Sequence, residues 1–255
     1  MLSSDQPKRR MYLRTLLLLL GLACLVWSLF AWPLFRLTGP VRDLAARIIA
    51  NEHFKPGVLP DWQVRMNGAL RPAILQPDFS LADALIALRV AEEAMQRKNS
   101  EEADREMASA EVKVRAALSL SPTNSFLWLM AYSLEISRSG FQAKSLSYLD
   151  QSYATGPQEG WIALRRNRIA LAIFPALEHS TQDSVVGEFS GIVDSGFIAE
   201  AAANVTGVGW DQRERLLANL GRADIASREA FAKVLARARV DVSVPGVALD
   251  ERWFR

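Results

Sequence analysis

Three arginines, Arg165, Arg166 and Arg168, interrupt the otherwise largely apolar run "WIALRRNRIAL" at 161–171. At 100° per residue, Arg165 and Arg168 fall between Trp161 and Leu164 on one side and Ile162 and Ile169 on the other. Arg166 falls near Ile162, Ile169 and Ile173. A guanidinium drawn into such a surface needs partners, because stripping its water is costly. Two kinds of partner fit. Internal carboxylates such as Glu135, Asp150 or Glu159 can form salt bridges, the long arginine stems then packing as spacers. Alternatively the arginines bind an acidic group from outside, a partner's carboxylate or an anionic sugar, on the concave side of a helical array. Trp128 and Trp161 either pack in the core or present flat surfaces to a peptide or a sugar ring. Trp128, Trp161, Arg165, Arg166 and Arg168 are therefore the candidate partner- or anion-binding residues.

Other chemistry has little to stand on. The two histidines, His53 and His179, have neither a second histidine nor a cysteine at metal-ligand spacing, so no metal site is expected. The sequence has no glycine-rich phosphate loop and no nucleophile elbow, and no cofactor is expected. "TGVGW" at 206–210 reads as a turn before a helix. The pairs Glu92–Glu93 and Glu101–Glu102 point in divergent directions on a helix and read as solvated faces rather than an acid–base pair. Carboxylates distant in sequence can still converge, which keeps a glycan-active enzyme as an alternative. The net charge of +2 lacks the concentrated basic footprint of a nucleic-acid binder.

The elements that must position these residues are helices. Ser80 with Asp83, and Asn99 with Glu102, have the form of capping boxes. Leu81, Leu85, Leu88 and Met95 form one apolar stripe; Ala103, Met107, Ala110, Val114 and Ala117 form a second. Opposite the second, Glu101 with Arg105 and Glu111 with Arg115 are favourable (i, i+4) pairs. Helical runs continue at about 125–138, 142–153, 160–174, 182–194, 197–204, 211–220 and 224–240. Gly140, Gly196 and Gly221 stand where C-terminal caps belong, and Asp211 and Asp224 where N-caps do. Only the short "VDVSV" near the end alternates as a strand would. The class is all-α.

At the N-terminus, Lys8, Arg9, Arg10 and Arg14 precede an uncharged run from Thr15 to Phe35. Its 21 residues, at about 1.5 Å each, match the ~30 Å hydrocarbon core of a bilayer. Trp27, Trp32 and Phe35 lie towards the far end, where aromatic rings favour the interface. The run is too long for a signal peptide, and "AWP" is a poor cleavage site. Residues 15–35 are expected to anchor the chain in the bilayer as a single transmembrane helix. The dense basic cluster makes 1–14 the cytoplasmic end and places the bulk in the periplasm of a bacterial inner membrane. Cys24, the sole cysteine, lies inside the span. A juxtamembrane helix from Pro40 and an extended proline-rich linker over 54–79 are expected to fill residues 36–79.

A 35-residue offset relates several positions. Ala110 falls on Ser145, Val114 on Leu149, Ala117 on Ser152, Pro122 on Pro157 and Phe126 on Trp161. Small residues let neighbouring helices approach, a bulky one fills the contact, and proline stops the second helix of each pair. Such pairs bury their apolar faces only by stacking. The pattern resembles the tetratricopeptide repeat: Gly140, Ser145, Leu149, Ser152 and Pro157 match that family's glycine, small, bulky, small and proline positions. The resemblance covers residues 80–196, with a one-residue insertion in the first helix of the middle unit. The period breaks in the third unit, where Phe189 follows Leu149 by 40 residues. Residues 197–255 then form C-terminal helices and a tail.

The anchor, the helical pairs and the blocks "SPTNSFLWLMAY" and "SYATGPQEGWIALRRNRIAL" are together similar to the VpsP-type polysaccharide-biosynthesis accessory proteins of bacteria. That resemblance runs through about residue 175. It implies a membrane-tethered, non-catalytic role, binding inner-membrane or periplasmic proteins that make or export exopolysaccharide or O-antigen. A scaffold for cell-envelope assembly or secretion is the alternative from architecture alone, since architecture does not fix function.

Overall fold

The computed structural model describes residues 6–50, 52–68, 77–97, 100–156 and 160–248. Every element among them is helical, and the alternating segment 240–244 runs without a strand. The chain forms two compact units, Met1–Leu120 and Ser121–Arg255, which divide one residue before Pro122. The proline 35 residues later, Pro157, and the tail "RWFR" lie outside the described residues, as do Asn99 and Glu159.

Unit 1 is built from α1 (Gln6–Ile49), α2 (Val58–Gly68), α3 (Pro77–Gln96) and α4 (Ser100–Leu120). Helix α3 packs against the other three. That surrounding explains why Ala82, Ala84, Leu85, Ile86, Ala87, Leu88, Val90, Ala91 and Ala94 are buried almost all round it. Of the stripe expected on α3, Leu85 and Leu88 are buried, whereas Met95 is exposed in the last turn. The stripe on α4 is buried throughout, from Ala103 to Ala117. Glu111 and Arg115 form their expected (i, i+4) ion pair.

Proline placement corrects the sequence expectation between the anchor and α3. The extended linker predicted over 54–79 contains α2 instead. Pro60 sits in the first turn of α2, where the amide it lacks would have no partner in the helix. Leu59 and Met66, seven residues apart on one face, are buried as α2 packs on α3. Pro77 opens α3 at the first helical position, a site suited to its fixed φ. Ser80 is therefore inside the helix rather than its cap, and Asp83 pairs with Lys113 of α4 at 2.7 Å. The separate juxtamembrane helix is also absent: α1 continues through Pro40, with Val41, Leu44 and Ala45 buried in unit 1.

Unit 2 begins with α5 (Ser125–Ser139), α6 (Leu146–Thr155), α7 (Gly160–Ala172) and α8 (His179–Asp194), and continues with α9 (Ile198–Thr206), α10 (Arg213–Ala218) and α11 (Ile225–Arg237). Asn124 caps α5, its side chain accepting the Leu127 amide at 3.1 Å. Gly140 ends α5 at φ +69°, a conformation a side chain would strain. Asp224 caps α11 through the Ala226 amide. Asp211, by contrast, lies within the 3-10 turn Trp210–Gln212, and Gly221 within another, Asn219–Arg222. The run expected over 211–220 is helical throughout: α10 forms its centre and a 3-10 turn lies at each end.

Helices α5 and α6 form one antiparallel pair and α7 and α8 the next; α5 contacts α7, and α6 contacts α8. Helix α8 also meets α9, α10 and α11. Phe189 of α8 and Phe231 of α11, both fully buried, meet edge to face at 6.0 Å. Two glycines on the solvent side of α8, Gly187 and Gly191, have open space where a Cβ would stand. Gly187→Ala and Gly191→Ala should each stabilise the protein by about 0.5–1 kcal/mol, read as a higher unfolding midpoint.

Candidate functional site

Helix α7 separates the three arginines by face. Ile162, Ala163, Arg166, Asn167, Ala170 and Leu171 are buried, at the spacing of an inward-facing stripe. Trp161, Arg165 and Arg168, spaced i, i+4 and i+7, form the exposed stripe on the other side.

Arg166 has no exposed surface, and its donors are all engaged. Nε and Nη2 both donate to Glu188 Oε1, at 3.0 and 2.5 Å. Nη1 donates to the Ser152 carbonyl at 2.6 Å and to Ser152 Oγ at 3.2 Å. Nη2 also donates to the Gly156 carbonyl at 2.8 Å. Ser152 and Gly156 stand at the C-terminal end of α6, where the helix dipole is negative and the Ser152 carbonyl also accepts the Gly156 amide. The guanidinium thus caps α6 as well as pairing with α8. The Tyr153 ring lies against it, 4.1 Å from the guanidinium carbon to the ring centroid.

The network extends beyond this pair. Tyr153 Oη donates to Glu188 Oε2 at 2.8 Å. Asn167 Nδ2 donates to the Val185 carbonyl at 2.9 Å, and Asn204 Nδ2 of α9 to Asn167 Oδ1 at 3.3 Å. Ser152 Oγ donates to the Ser125 carbonyl at 2.8 Å, tying in the start of α5. Five successive helices of unit 2 therefore share one buried polar cluster. Burial pushes the Glu188 carboxyl above its ordinary range, and Arg166, Tyr153 and Asn167 oppose that shift without reversing it. The Tyr153 hydroxyl is raised well above its ordinary value, first by burial and then by the adjacent carboxylate.

The partners named from sequence are occupied elsewhere. Glu135 meets Lys144 at 3.3 Å, and Asp150 accepts the Thr181 hydroxyl at 2.7 Å. Glu188 was not among them, although the pattern carries a signal for it: it is the lone acid among Val185, Val186, Phe189, Ile192 and Val193. Pairing it with Arg166 required the path of the chain between α7 and α8. With all its donors used inside the fold, Arg166 has none for an external anion.

The two tryptophans are engaged in different pairs. Trp128 is half-buried on α5; its indole N–H donates to the Pro122 carbonyl at 2.7 Å and its ring stacks near Tyr148 at 6.1 Å. Trp161 opens α7 at 44% exposure, its ring tilted on Phe126 at 4.6 Å. Phe126 and Trp128 are two residues apart on α5, about 200° around the helix. The structure accordingly joins Trp161, not Trp128, to the arginine stripe. No family model, curated protein or solved structure matches this chain.

Among the described residues no group of three His, Cys, Asp or Glu side chains could hold a metal ion. His53 and His179 are both exposed. The geometry distinguishes a closed polar cluster, which orders the helices, from an exposed cationic and aromatic stripe.

Two outcomes test the closed cluster. Arg166→Leu and Glu188→Leu should each destabilise unit 2 by about 3–5 kcal/mol, because each leaves a buried charge alone, and the double variant should recover a large part of the loss. Hydrogen exchange of the α7 and α8 amides reads both. The pH dependence has a definite sign. A raised folded-state value means the folded protein keeps a proton that the unfolded chain releases near its ordinary value of 4.5. The contribution of Glu188 to stability is therefore complete below that pH and is lost as pH climbs through the folded-state value. The neutral variant Glu188→Gln lacks this slope, so the wild type should lose protection relative to it as pH rises; a relative gain would mean that attraction to Arg166 outweighs burial.

Proposed function

We propose that this protein is a membrane-anchored helical-repeat scaffold, an accessory component that binds proteins of a bacterial cell-surface polysaccharide system. The observation that carries the reading is a single helix with two characters. Tyr12–Leu29 of α1 is apolar, long enough to cross a membrane and wholly exposed, while Val41, Leu44 and Ala45 of the same helix are core residues of unit 1. Exposed apolar surface of that extent is costly in water and is relieved in lipid. The orientation proposed, N-terminus cytoplasmic and bulk periplasmic, rests on Lys8, Arg9, Arg10 and Arg14.

The repeat reading is supported by the stacking of α5–α6 on α7–α8. It is supported also by the burial of Ala110, Val114, Ala117, Ser145, Leu149 and Ser152, the positions related by the 35-residue offset. Phe126 and Trp161, another related pair, touch. Trp161, Arg165 and Arg168 then supply the partner-binding surface, suited to an acidic segment through charge and to its apolar neighbours through the indole. The polysaccharide assignment comes from the resemblance of the blocks around 121–140 and 152–171 to the VpsP-type proteins.

Photo-crosslinking from position 168 in native membranes tests the proposal. The expected adducts are inner-membrane or periplasmic proteins of the polysaccharide system; adducts only with division or secretion proteins would overturn that assignment. Arg165→Glu/Arg168→Glu should cut recovery of the partner by affinity capture at least about tenfold, the equivalent of 1.4 kcal/mol. Because both side chains are exposed, folding should change by no more than about 0.5 kcal/mol.

A further inference from the structure

The route of α1 into unit 1 determines how far that unit can stand from a membrane. The uncharged run ends at Phe35, and among the described side chains the first buried one in unit 1 is Val41, at 1% exposure. The chain between them is helical, and six residue steps from Phe35 to Val41 reach about 9 Å. A bend at Pro40 would change the direction of the helix without lengthening it. The polar headgroup layer on each side of a bilayer is itself about 5–8 Å thick. The proline-rich segment that could have served as a spacer comes after Val41, Leu44 and Ala45, and part of it is folded as α2. It cannot separate the core from the span.

We propose that unit 1 is seated directly on the lipid headgroups, with the exposed side of α1 over residues 39–43 facing the phosphate layer. This rests on the anchor reading above and adds the surface that meets the bilayer. Gly39, Pro40, Arg42 and Asp43 are exposed there. Arg42 is about 10 Å of helix beyond Phe35, within a Debye length of ~8–10 Å of the headgroups once its side chain reaches back. It has no ionic partner among the described residues, whereas the next arginine, Arg47, is held by Glu52 at 2.7 Å and lies over Phe54. The lipid phosphate is the anion within reach of Arg42, and Asp43 on the adjoining position limits how strongly that end of α1 is drawn down.

The test uses the full chain with Cys24→Ser, which removes the only native thiol, and single cysteines introduced by Leu25→Cys, Asp43→Cys or Ala50→Cys. Each replaced residue is exposed, so a fluorescent label leaves the core intact. The labelled proteins are reconstituted in phosphatidylcholine–phosphatidylglycerol vesicles carrying nitroxide on either the headgroup or the acyl chain. Position 25 should be quenched by the acyl-chain nitroxide. Headgroup nitroxide should quench position 43 at least about twofold more than position 50, which is ~10 Å further along. Quenching at 25 with equally weak headgroup quenching at 43 and 50 would overturn the seating while leaving the anchor intact. Absence of acyl-chain quenching at 25 would overturn both.

Discussion

A guanidinium that has lost all contact with water must be satisfied inside the protein, and in unit 2 this requirement organises everything around it. Arg166 reaches from α7 to the C-terminal carbonyls of α6 and to the carboxylate of α8. Each contact is geometrically exacting, and the loss of any one leaves charge or polar groups stranded in apolar surroundings. Apolar packing alone tolerates sliding of one helix past another; this cluster does not. Its members come from α5, α6, α7, α8 and α9, so it fixes the relative positions of these helices.

The small residues at the 35-residue offset acquire a second meaning in this setting. Ser152 is small enough to let helices approach, as the pattern required, but its hydroxyl also donates to the Ser125 carbonyl and accepts from Arg166. An alanine there would satisfy the packing and leave the network incomplete. The aromatic positions of the same pattern differ in fate: Phe126 is buried, while Trp161, tilted against it, remains partly exposed at the start of α7. The inward stripe of α7 thus serves the fold, while the outward stripe is exposed and is the surface proposed for a partner. A single helix divides the two roles by rotation.

Unit 1 relies on a different device. Its central helix, α3, is rich in alanine and is enclosed by α1, α2 and α4, which allows their close approach. Prolines here start helices rather than prevent them. Pro60 lies in the first turn of α2 and Pro77 opens α3, positions where a missing amide costs nothing. A proline-rich composition was therefore a poor guide to extended chain in this segment, since the effect of each proline depends on its place relative to a helix start.

The all-α class, the apolar helix at the N-terminus, the buried stripe of α4 and the caps at Asn124, Gly140 and Asp224 belong to local sequence. They follow from periodicity, length and the chemistry of single turns, which act over a few residues. The presence of three arginines in an apolar helix was equally legible, and it marked α7 correctly as unusual. What the arginines do was not legible. Rotation about α7 buries Arg166 and exposes Arg165 and Arg168, and that depends on which neighbours pack against it. The partner of Arg166 lies 22 residues away on α8, and its other contacts lie at the end of α6. Nearby acids such as Glu135 and Asp150 were plausible by type but turned towards other groups. Charge pairing is decided by distance in space, and only the tertiary structure brings Glu188, Tyr153 and the α6 carbonyls to one guanidinium.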